Sequence, residues 1–194
     1  HRVKNNLQVI TSFISLEEKF NNSPGRIVEV TKNRISSLAL IHERIYDEDN
    51  MNFISLKGFI KDFDDKLVGL SDVKDVNFIE EIDSNLTLPI TIMTPIVLII
   101  NELTSNTFKH AFDTSDDYKE IFKSIHVCER NNQKMCEFIY KDNGAGLDEE
   151  FDINKSPSLG WTIIKSLSNQ LDGKYEICPG NGFGFRLTFP YVED

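Results

Sequence analysis

The chain has 194 residues, of which 40% are hydrophobic, so it can bury one ordinary core or two small ones and is not a disordered chain. Its formal net charge of −10 excludes nucleic acid as an expected partner, because the acidic excess after residue 55 would repel phosphate backbones. No apolar run approaches the roughly 18 residues of a membrane span, so we expect no membrane contact by this fragment.

Residues 1–22 predict a helix with two apolar stripes, each repeating at spacings of three and four residues. The sequence Asn-Asn-Ser-Pro-Gly breaks this helix, and a second helix is predicted over about 26–48, with His42 packed on its inner side. One antiparallel hairpin cannot cover both stripes, so we expect residues 1–50 to form a dimeric four-helix bundle with a second copy. The stripes consist of Val3, Leu7, Ile10 and Ile14, and of Val9, Phe13, Leu16 and Phe20.

An acidic linker, residues 47–50, precedes a second predicted domain, residues 51–194. Its pattern predicts an α+β arrangement of antiparallel strands with helices on one face, and His126 is expected to be packed within a strand. Helices are predicted over about 55–70, 91–110 and 159–171, strands over 76–82, 86–90, 124–129, 135–140, 174–177 and 184–189, and a Gly- and Asp-rich loop over 142–157.

The three cysteines, Cys128, Cys136 and Cys178, lack CxxC spacing, so we expect neither zinc nor a disulfide framework. They are predicted to be small apolar residues in strands, reduced in the cytoplasm. The chain begins with His1 rather than Met, so we expect a fragment whose upstream part, including any sensor domain, is missing.

The long helix carries a polar pattern that suits a metal and phosphate site. Glu102, Asn106 and Lys109 fall at i, i+4 and i+7 and share one face of a regular helix. A carboxylate and an amide oxygen are ligands that Mg²⁺ accepts, and the lysine supplies positive charge for phosphate. A solvated polar helix face explains the pattern equally well.

Two further segments can approach a ligand. Asp142 follows an apolar strand and precedes Gly144 and Gly146, so it is placed to accept a hydrogen bond beside backbone that can come close to the ligand. A simple turn at the strand end is the alternative. Farther on, Ser158 precedes Leu159 and Gly160 and can cap a helix whose free N–H groups bind phosphate.

Taken in order, these segments resemble the N, G1 and G2 boxes of the GHKL ATPases, a superfamily that includes histidine kinases, chaperones, mismatch-repair ATPases and type II topoisomerases. The resemblance implies a Bergerat-type α/β sandwich that binds ATP and Mg²⁺, with a short lid between the second and third boxes. It implies that Asn106 coordinates Mg²⁺, that Glu102 holds the Mg²⁺ shell or a water, and that Lys109 and His110 contact phosphates. Asp142 would accept a hydrogen bond from the adenine amino group, and Gly144, Gly146, Leu159 and Gly160 would shape the pocket and the lid hinges.

The first eight residues, His-Arg-Val-Lys-Asn-Asn-Leu-Gln, resemble the phosphoacceptor box of the HWE and related histidine kinases. This resemblance implies that His1 is the phosphoacceptor. Arg2 occupies a position where many histidine kinases have an acid, and it either neutralises the transferred phosphoryl group or is a solvated arginine. Asn5, one helical turn farther on, could orient a water for dephosphorylation of a partner.

The sequence departs from the family pattern at two positions. Trp161 replaces the second Leu of a Leu-Gly-Leu box and either packs on the core or shields the nucleotide. Phe185 follows Gly184 where many relatives have a Thr that helps to hold adenine, and Thr188 does not replace it.

We therefore expect a cytoplasmic, homodimeric histidine autokinase that uses ATP and Mg²⁺ and passes the phosphoryl group to the receiver domain of a response regulator. Two alternatives remain. The chain could be a catalytically degenerate scaffold of the same fold, or a GHKL ATPase or serine kinase of the anti-sigma type. Binding of ATP and the acid lability of any protein-bound phosphate would distinguish them.

Overall fold

The structure is a computed structural model that describes residues 39, 53–69, 71–113, 118–130, 132–147, 158–178 and 180–191. Apart from residue 39, the predicted hairpin over 1–50 lies outside the described residues, and so do His1, Arg2, Asn5 and His42. The predicted lid between residues 147 and 158 is also outside them.

The described residues form three helices, one π-helical turn and seven strands. In chain order these are β1 (Phe53–Ser55), α1 (Leu56–Gly69), β2 (Val76–Ile82), β3 (Thr87–Pro89), α2 (Ile90–Asn106), the π-helical turn (Thr107–Ala111), β4 (Lys119–Arg130), β5 (Gln133–Asp142), α3 (Leu159–Gln170), β6 (Lys174–Ile177) and β7 (Gly184–Pro190). The predicted α+β class is confirmed.

Five strands form the main sheet in the order β2-β4-β5-β7-β6, while β1 and β3 pair separately as an antiparallel ribbon. The prediction of antiparallel strands throughout is wrong for β2, which pairs with β4 in parallel. The physical reason is the connection between them: parallel neighbours need a long crossover, and here α2 supplies it. The remaining pairs of the main sheet are antiparallel.

Helix α2 is the centre of the core because it is apolar almost all round, and its residues from Pro95 to Thr104 are all buried. Helix α3 packs beside it, and α1 contacts both α2 and β2. Alternate residues of β4, β5 and β7 complete the core. The largest aromatic side chains that are fully buried in the core are Tyr140, Phe63, Phe138, Phe185 and Phe189.

Strand β4 begins at Lys119, five residues before the predicted start at Ser124. Two lysines explain the difference, since Lys119 and Lys123 occupy buried positions where the alternating pattern requires apolar residues. Lys123 Nζ forms a buried ion pair with Asp64 of α1. Burial raises the pKa of the Asp64 carboxyl to about 7 and lowers the pKa of the Lys123 ammonium.

Other predictions about single residues have mixed outcomes. His126 is not packed: 48% of its side chain is exposed, and its Nε2 lies 3.3 Å from Glu137 Oε1 on the neighbouring strand. The three cysteines are free thiols, but Cys178 follows β6 rather than lying within a strand. Within the described part of the chain, no helix is both long enough and apolar enough to cross a membrane.

Candidate active site

A cavity of about 260 Å³ opens where α2, the loop after β5, the start of α3 and the segment before β7 meet. Its volume lies just below the range of roughly 300–1,000 Å³ that is usual for small-molecule sites. The residues that line it are Asn106, Thr107, His110, Ala111, Asp142, Gly146, Leu147, Ser158, Trp161 and Phe183.

Asp142 is the most constrained polar side chain of this cavity. It is the last residue of β5, not the first residue of a loop as predicted, and only 4% of it is exposed. Its Oδ1 accepts hydrogen bonds from the backbone amides of Gly144 at 3.0 Å and Phe183 at 3.2 Å. Its Oδ2 accepts a hydrogen bond from Thr107 Oγ1 at 2.6 Å. The carboxylate is therefore fixed from three separate segments of the chain.

Thr107 is the first residue of the π-helical turn and is buried. Its hydroxyl donates to Asp142 and also lies 2.8 Å from the hydroxyl of Tyr140. Tyr140 lies on β5, two residues before Asp142. Tyr140 is completely buried, and this burial raises the pKa of its phenol above the usual range. No role was predicted for Thr107 or Tyr140, because Thr107 lies off the helix face that Glu102, Asn106 and Lys109 were predicted to share and Tyr140 lies within an apolar strand.

Three glycines allow the loop after β5 to fold against its neighbours. A Cβ at Gly144 would lie 2.5 Å from the Cβ and carbonyl oxygen of Ala111, and the adjacent Ala145 amide donates to that carbonyl at 3.0 Å. Gly146 has a φ of +76°. Gly182 has a φ of +81°, and a Cβ there would lie 2.1 Å from the Asp142 carbonyl oxygen. Glycine is the residue that tolerates both the conformation and the close approach.

Glu102 and Asn106 meet at the start of α3. Measured from the point where Gly160 would carry a Cβ, Glu102 Oε2 is 3.1 Å away and Asn106 Oδ1 is 3.8 Å away. Glu102 is buried and Asn106 half-buried, so both side chains lie between the two helices rather than in open solvent. The missing side chain at Gly160 thus leaves room for two oxygen-bearing groups side by side.

Lys109 and His110 lie in the π-helical turn and are exposed. A π turn contains more residues than an α turn, so Lys109 does not continue the face of Glu102 and Asn106 as it would in an uninterrupted α-helix. His110 lines the cavity, whereas Lys109 is not among the described residues that do. This difference arises from the local helix geometry, which the sequence pattern did not reveal.

The start of α3 forms another wall. Ser158 caps this helix, and its Oγ accepts a hydrogen bond from the Trp161 amide at 3.3 Å, as predicted for a capping residue. Leu159 and Trp161 are buried, and the Trp161 ring lies 5.7 Å from the ring of Phe183. Trp161 therefore packs on the core and lines the cavity at once. Phe183 was not predicted, although its position between Gly182 and Gly184 could have indicated it.

Phe185 is fully buried and stacks on Tyr175, with 6.0 Å between ring centroids, so it belongs to the core and not to the cavity. This departure from the family pattern therefore lies in the core, and Phe185 is not among the residues that line the cavity.

The donor set fits Mg²⁺. Among the described residues, no group of three His, Cys, Asp or Glu side chains is arranged to hold a metal ion. Mg²⁺ does not require such a group, since it is usually held by one or two protein oxygens together with waters and phosphate oxygens. Glu102 and Asn106, converging on Gly160, provide that kind of incomplete oxygen set.

Comparison with known proteins finds similarity to sensor histidine kinases. A family model described as histidine kinase matches residues 1–71. The sensor histidine kinase PdtaS of Mycobacterium tuberculosis is 29% identical over 180 residues, which cover 89% of this chain and 34% of that protein. The chain therefore spans about a third of the length of the curated relatives it matches.

Solved structures show the same fold. The histidine kinase domain of the Erythrobacter litoralis EL346 blue-light activated histidine kinase matches with a TM-score of 0.69 at 16% identity, covering 95% of each chain. A longer structure of that kinase matches with a TM-score of 0.73 at 20% identity, covering 98% of this chain and 60% of the other.

Proposed function

We propose that this sensor histidine kinase core, which the comparisons support as HWE-like, binds ATP with Mg²⁺ in the cavity beside Asp142 and transfers the γ-phosphoryl group to His1. One observation supports the proposal above all others. A single cavity brings together a buried, fixed carboxylate at Asp142 and the side chains of Asn106 and His110. The carboxylate suits a base with an amino group, and the other two suit phosphates.

Base binding would use the walls of the cavity that have been described. Asp142 would accept a hydrogen bond from the exocyclic amino group of adenine, since an ionised carboxylate has hydrogen-bond acceptors and no donor. The rings of Trp161 and Phe183, together with Leu147, provide apolar surface for the base. Aromatic and aliphatic walls with a few fixed polar groups are the usual composition of such sites.

Phosphate binding would occur toward the start of α3. Glu102 and Asn106 would hold Mg²⁺, which when bound neutralises charge on the phosphate oxygens. His110 and Lys109 contribute donors and positive charge from the π-helical turn. The capped N-terminus of α3, at Ser158 and Leu159, adds backbone N–H groups that favour an anion.

Phosphoryl transfer requires an imidazole nitrogen of His1 to attack the γ-phosphorus in line, with cleavage of the bond to the β-phosphate oxygen and release of ADP. A neutral imidazole is a suitable acceptor near its reference pKa of about 6.5. The phosphohistidine then donates the group to an aspartate of a response-regulator receiver domain. Arg2 would neutralise the transferred group, and Asn5 would orient a water when the regulator is dephosphorylated.

The domain organisation belongs to the same proposal. Residues 1–50 form the dimerising, phosphoaccepting hairpin, and residues 51–194 form the catalytic domain that carries ATP to it. The hairpin is the homodimer interface, an upstream sensor domain controls it, and the reaction takes place in the cytoplasm. The family match over residues 1–71 supports the first of these assignments.

The test is incubation of the chain with γ-labelled ATP and Mg²⁺. We expect the parent to acquire acid-labile label, His1→Gln to bind ATP without label, and Asn106→Ala to lose label. His126→Gln and Asn169→Ala are matched controls, because both residues are exposed and remote from the cavity lining. Label retained in His1→Gln would refute the assignment of the acceptor.

An ATP-binding titration and the acid stability of the label distinguish the proposal from the two alternatives. A degenerate scaffold would show no binding of ATP in a titration with and without Mg²⁺. A serine kinase or an ATPase would give acid-stable label or none on the protein, with release of free phosphate in the second case.

A further inference from the structure

The carboxylate of Asp142 has one hydrogen-bonding position left for a ligand. Each carboxylate oxygen can accept about two hydrogen bonds. Both positions on Oδ1 are occupied by the amides of Gly144 and Phe183, at 3.0 and 3.2 Å. On Oδ2, one position is occupied by the Thr107 hydroxyl at 2.6 Å. The remaining acceptor position is therefore on Oδ2, the oxygen that accepts the hydrogen bond from Thr107.

The direction of the hydrogen bonds behind Oδ2 follows from the number of protons. Thr107 has one hydroxyl proton, and a carboxylate has none to give, so Thr107 donates to Asp142. Thr107 must then be the acceptor in its 2.8 Å contact with Tyr140, whose hydroxyl is the donor. The result is a chain of donors that runs from Tyr140 through Thr107 to Asp142.

This direction determines what the cavity offers to a ligand. Thr107 lines the cavity, but its only proton is already used, so beside Asp142 it can only accept. The two side chains therefore present acceptors alone at this end of the cavity. A base with an amino group at this point gains a hydrogen bond, whereas a base with a carbonyl there would place oxygen against oxygen.

We propose that Thr107 is a positioning and specificity-determining residue, which holds Asp142 Oδ2 so that the site selects 6-aminopurine nucleotides over 6-oxopurine nucleotides. The proposal rests on the proposed function, since it concerns the same cavity. Thr107 acts through Asp142, and Tyr140 acts through Thr107 by fixing the direction of its proton. All three side chains are buried, so water does not compete well for these hydrogen bonds.

The experiment measures dissociation constants of ATP and ITP for the parent chain and its variants by calorimetry in Mg²⁺. Thr107→Val has the same shape without the hydroxyl, and Thr107→Ser keeps the hydroxyl. Thr188→Val is the matched control, since Thr188 is a half-buried threonine on β7 that does not line this cavity. We expect Thr107→Val to reduce the preference for ATP over ITP about tenfold, the effect typical of one hydrogen bond to a charged group. Thr107→Ser and Thr188→Val should keep the parent's preference for ATP.

A Thr107→Val chain that binds both nucleotides with the parent's preference would overturn the proposal, as would an equal loss of affinity for both. If Thr107→Val does not fold, Tyr140→Phe tests the same chain of hydrogen bonds. It should reduce the preference for ATP by about threefold, and an unchanged preference would refute this chain of hydrogen bonds.

A parent that binds no adenine nucleotide would instead overturn the proposed function itself, and the role of Thr107 with it. A parent that prefers ATP together with an unaffected Thr107→Val variant would overturn only the role of Thr107.

Discussion

Asp142 and Phe183 are joined by two hydrogen bonds in opposite directions. The Asp142 amide donates to the Phe183 carbonyl at 2.9 Å, and the Phe183 amide donates to Asp142 Oδ1 at 3.2 Å. This pair ties the end of β5 to the segment before β7, so the floor of the cavity and the aromatic wall beside Trp161 are held at a fixed distance. The carboxylate that would bind the base is thus held in place by hydrogen bonds from the backbone.

The first prediction concerns the charge of Asp142. In Asp142→Asn, one oxygen becomes an NH₂ group, which cannot accept from Thr107 or from a ligand amino group. Hydrogen bonds to charged groups are worth about 1.5–3 kcal/mol, so ATP should bind roughly 10- to 100-fold more weakly by calorimetry. Asp65→Asn, an exposed position on α1, is the control and should bind normally. If Asp142→Asn bound ATP with the parent's affinity, Asp142 would not be part of the ATP site.

The second prediction compares two glycines of one loop. Gly182→Ala places a Cβ 2.1 Å from the Asp142 carbonyl oxygen at a φ of +81°, while Gly180→Ala meets nothing within 4 Å. We expect Gly182→Ala to lose at least about 1–2 kcal/mol of unfolding free energy, seen as a lower melting temperature together with weaker ATP binding. Gly180→Ala should melt close to the parent. Equal melting temperatures for the two variants would contradict the geometry of this loop.

The third prediction separates binding from stability at Gly160. A Cβ there lies 3.1 Å from Glu102 Oε2, so Gly160→Ala must displace the carboxylate by a few tenths of an ångström. Alanine also favours a helix over glycine by about 1 kcal/mol, so the melting temperature should not fall. We expect Mg²⁺-dependent ATP binding and autophosphorylation to weaken severalfold. Gly58→Ala, in α1 with no atom within 4 Å, should be neutral or stabilising without affecting either. Full Mg²⁺-dependent activity in Gly160→Ala would show that Glu102 is not needed there.

The fourth prediction concerns the buried ion pair. Asp64→Ala leaves the Lys123 ammonium, which has no exposed surface, without its carboxylate partner. Removal of one partner of a buried pair typically costs about 3–5 kcal/mol, which urea unfolding would measure. The double variant Asp64→Leu with Lys123→Met should recover most of that loss, because no charge is then buried. Asp65→Ala, the exposed neighbour, is the control, and a loss in Asp64→Ala no larger than in this control would contradict the pairing.

Local sequence determined the parts of the site that depend on neighbouring residues. The helix over Leu159–Gln170, its cap at Ser158 and the position of Asp142 beside two glycines all follow from residues within a few positions of one another. Short motifs in a fixed order carried the resemblance to histidine kinases, and the similarity of the chain to sensor histidine kinases supports it. Strand β4 was located less well, because two buried lysines interrupt its alternation and Asp64, the partner of Lys123, is far along the chain.

Only the tertiary structure decided which groups meet Asp142. Thr107 is 35 residues away in sequence and Phe183 is 41, and their contacts depend on the packing of the π-helical turn against β5 and on the pairing of β5 with β7. Periodicity specifies which face of an element is buried, but it does not specify which element packs against that face. The sequence therefore identified the carboxylate and the adjacent Gly144 that donates to it, whereas the fold supplied the Thr107 hydroxyl and the Phe183 amide that complete its hydrogen bonds.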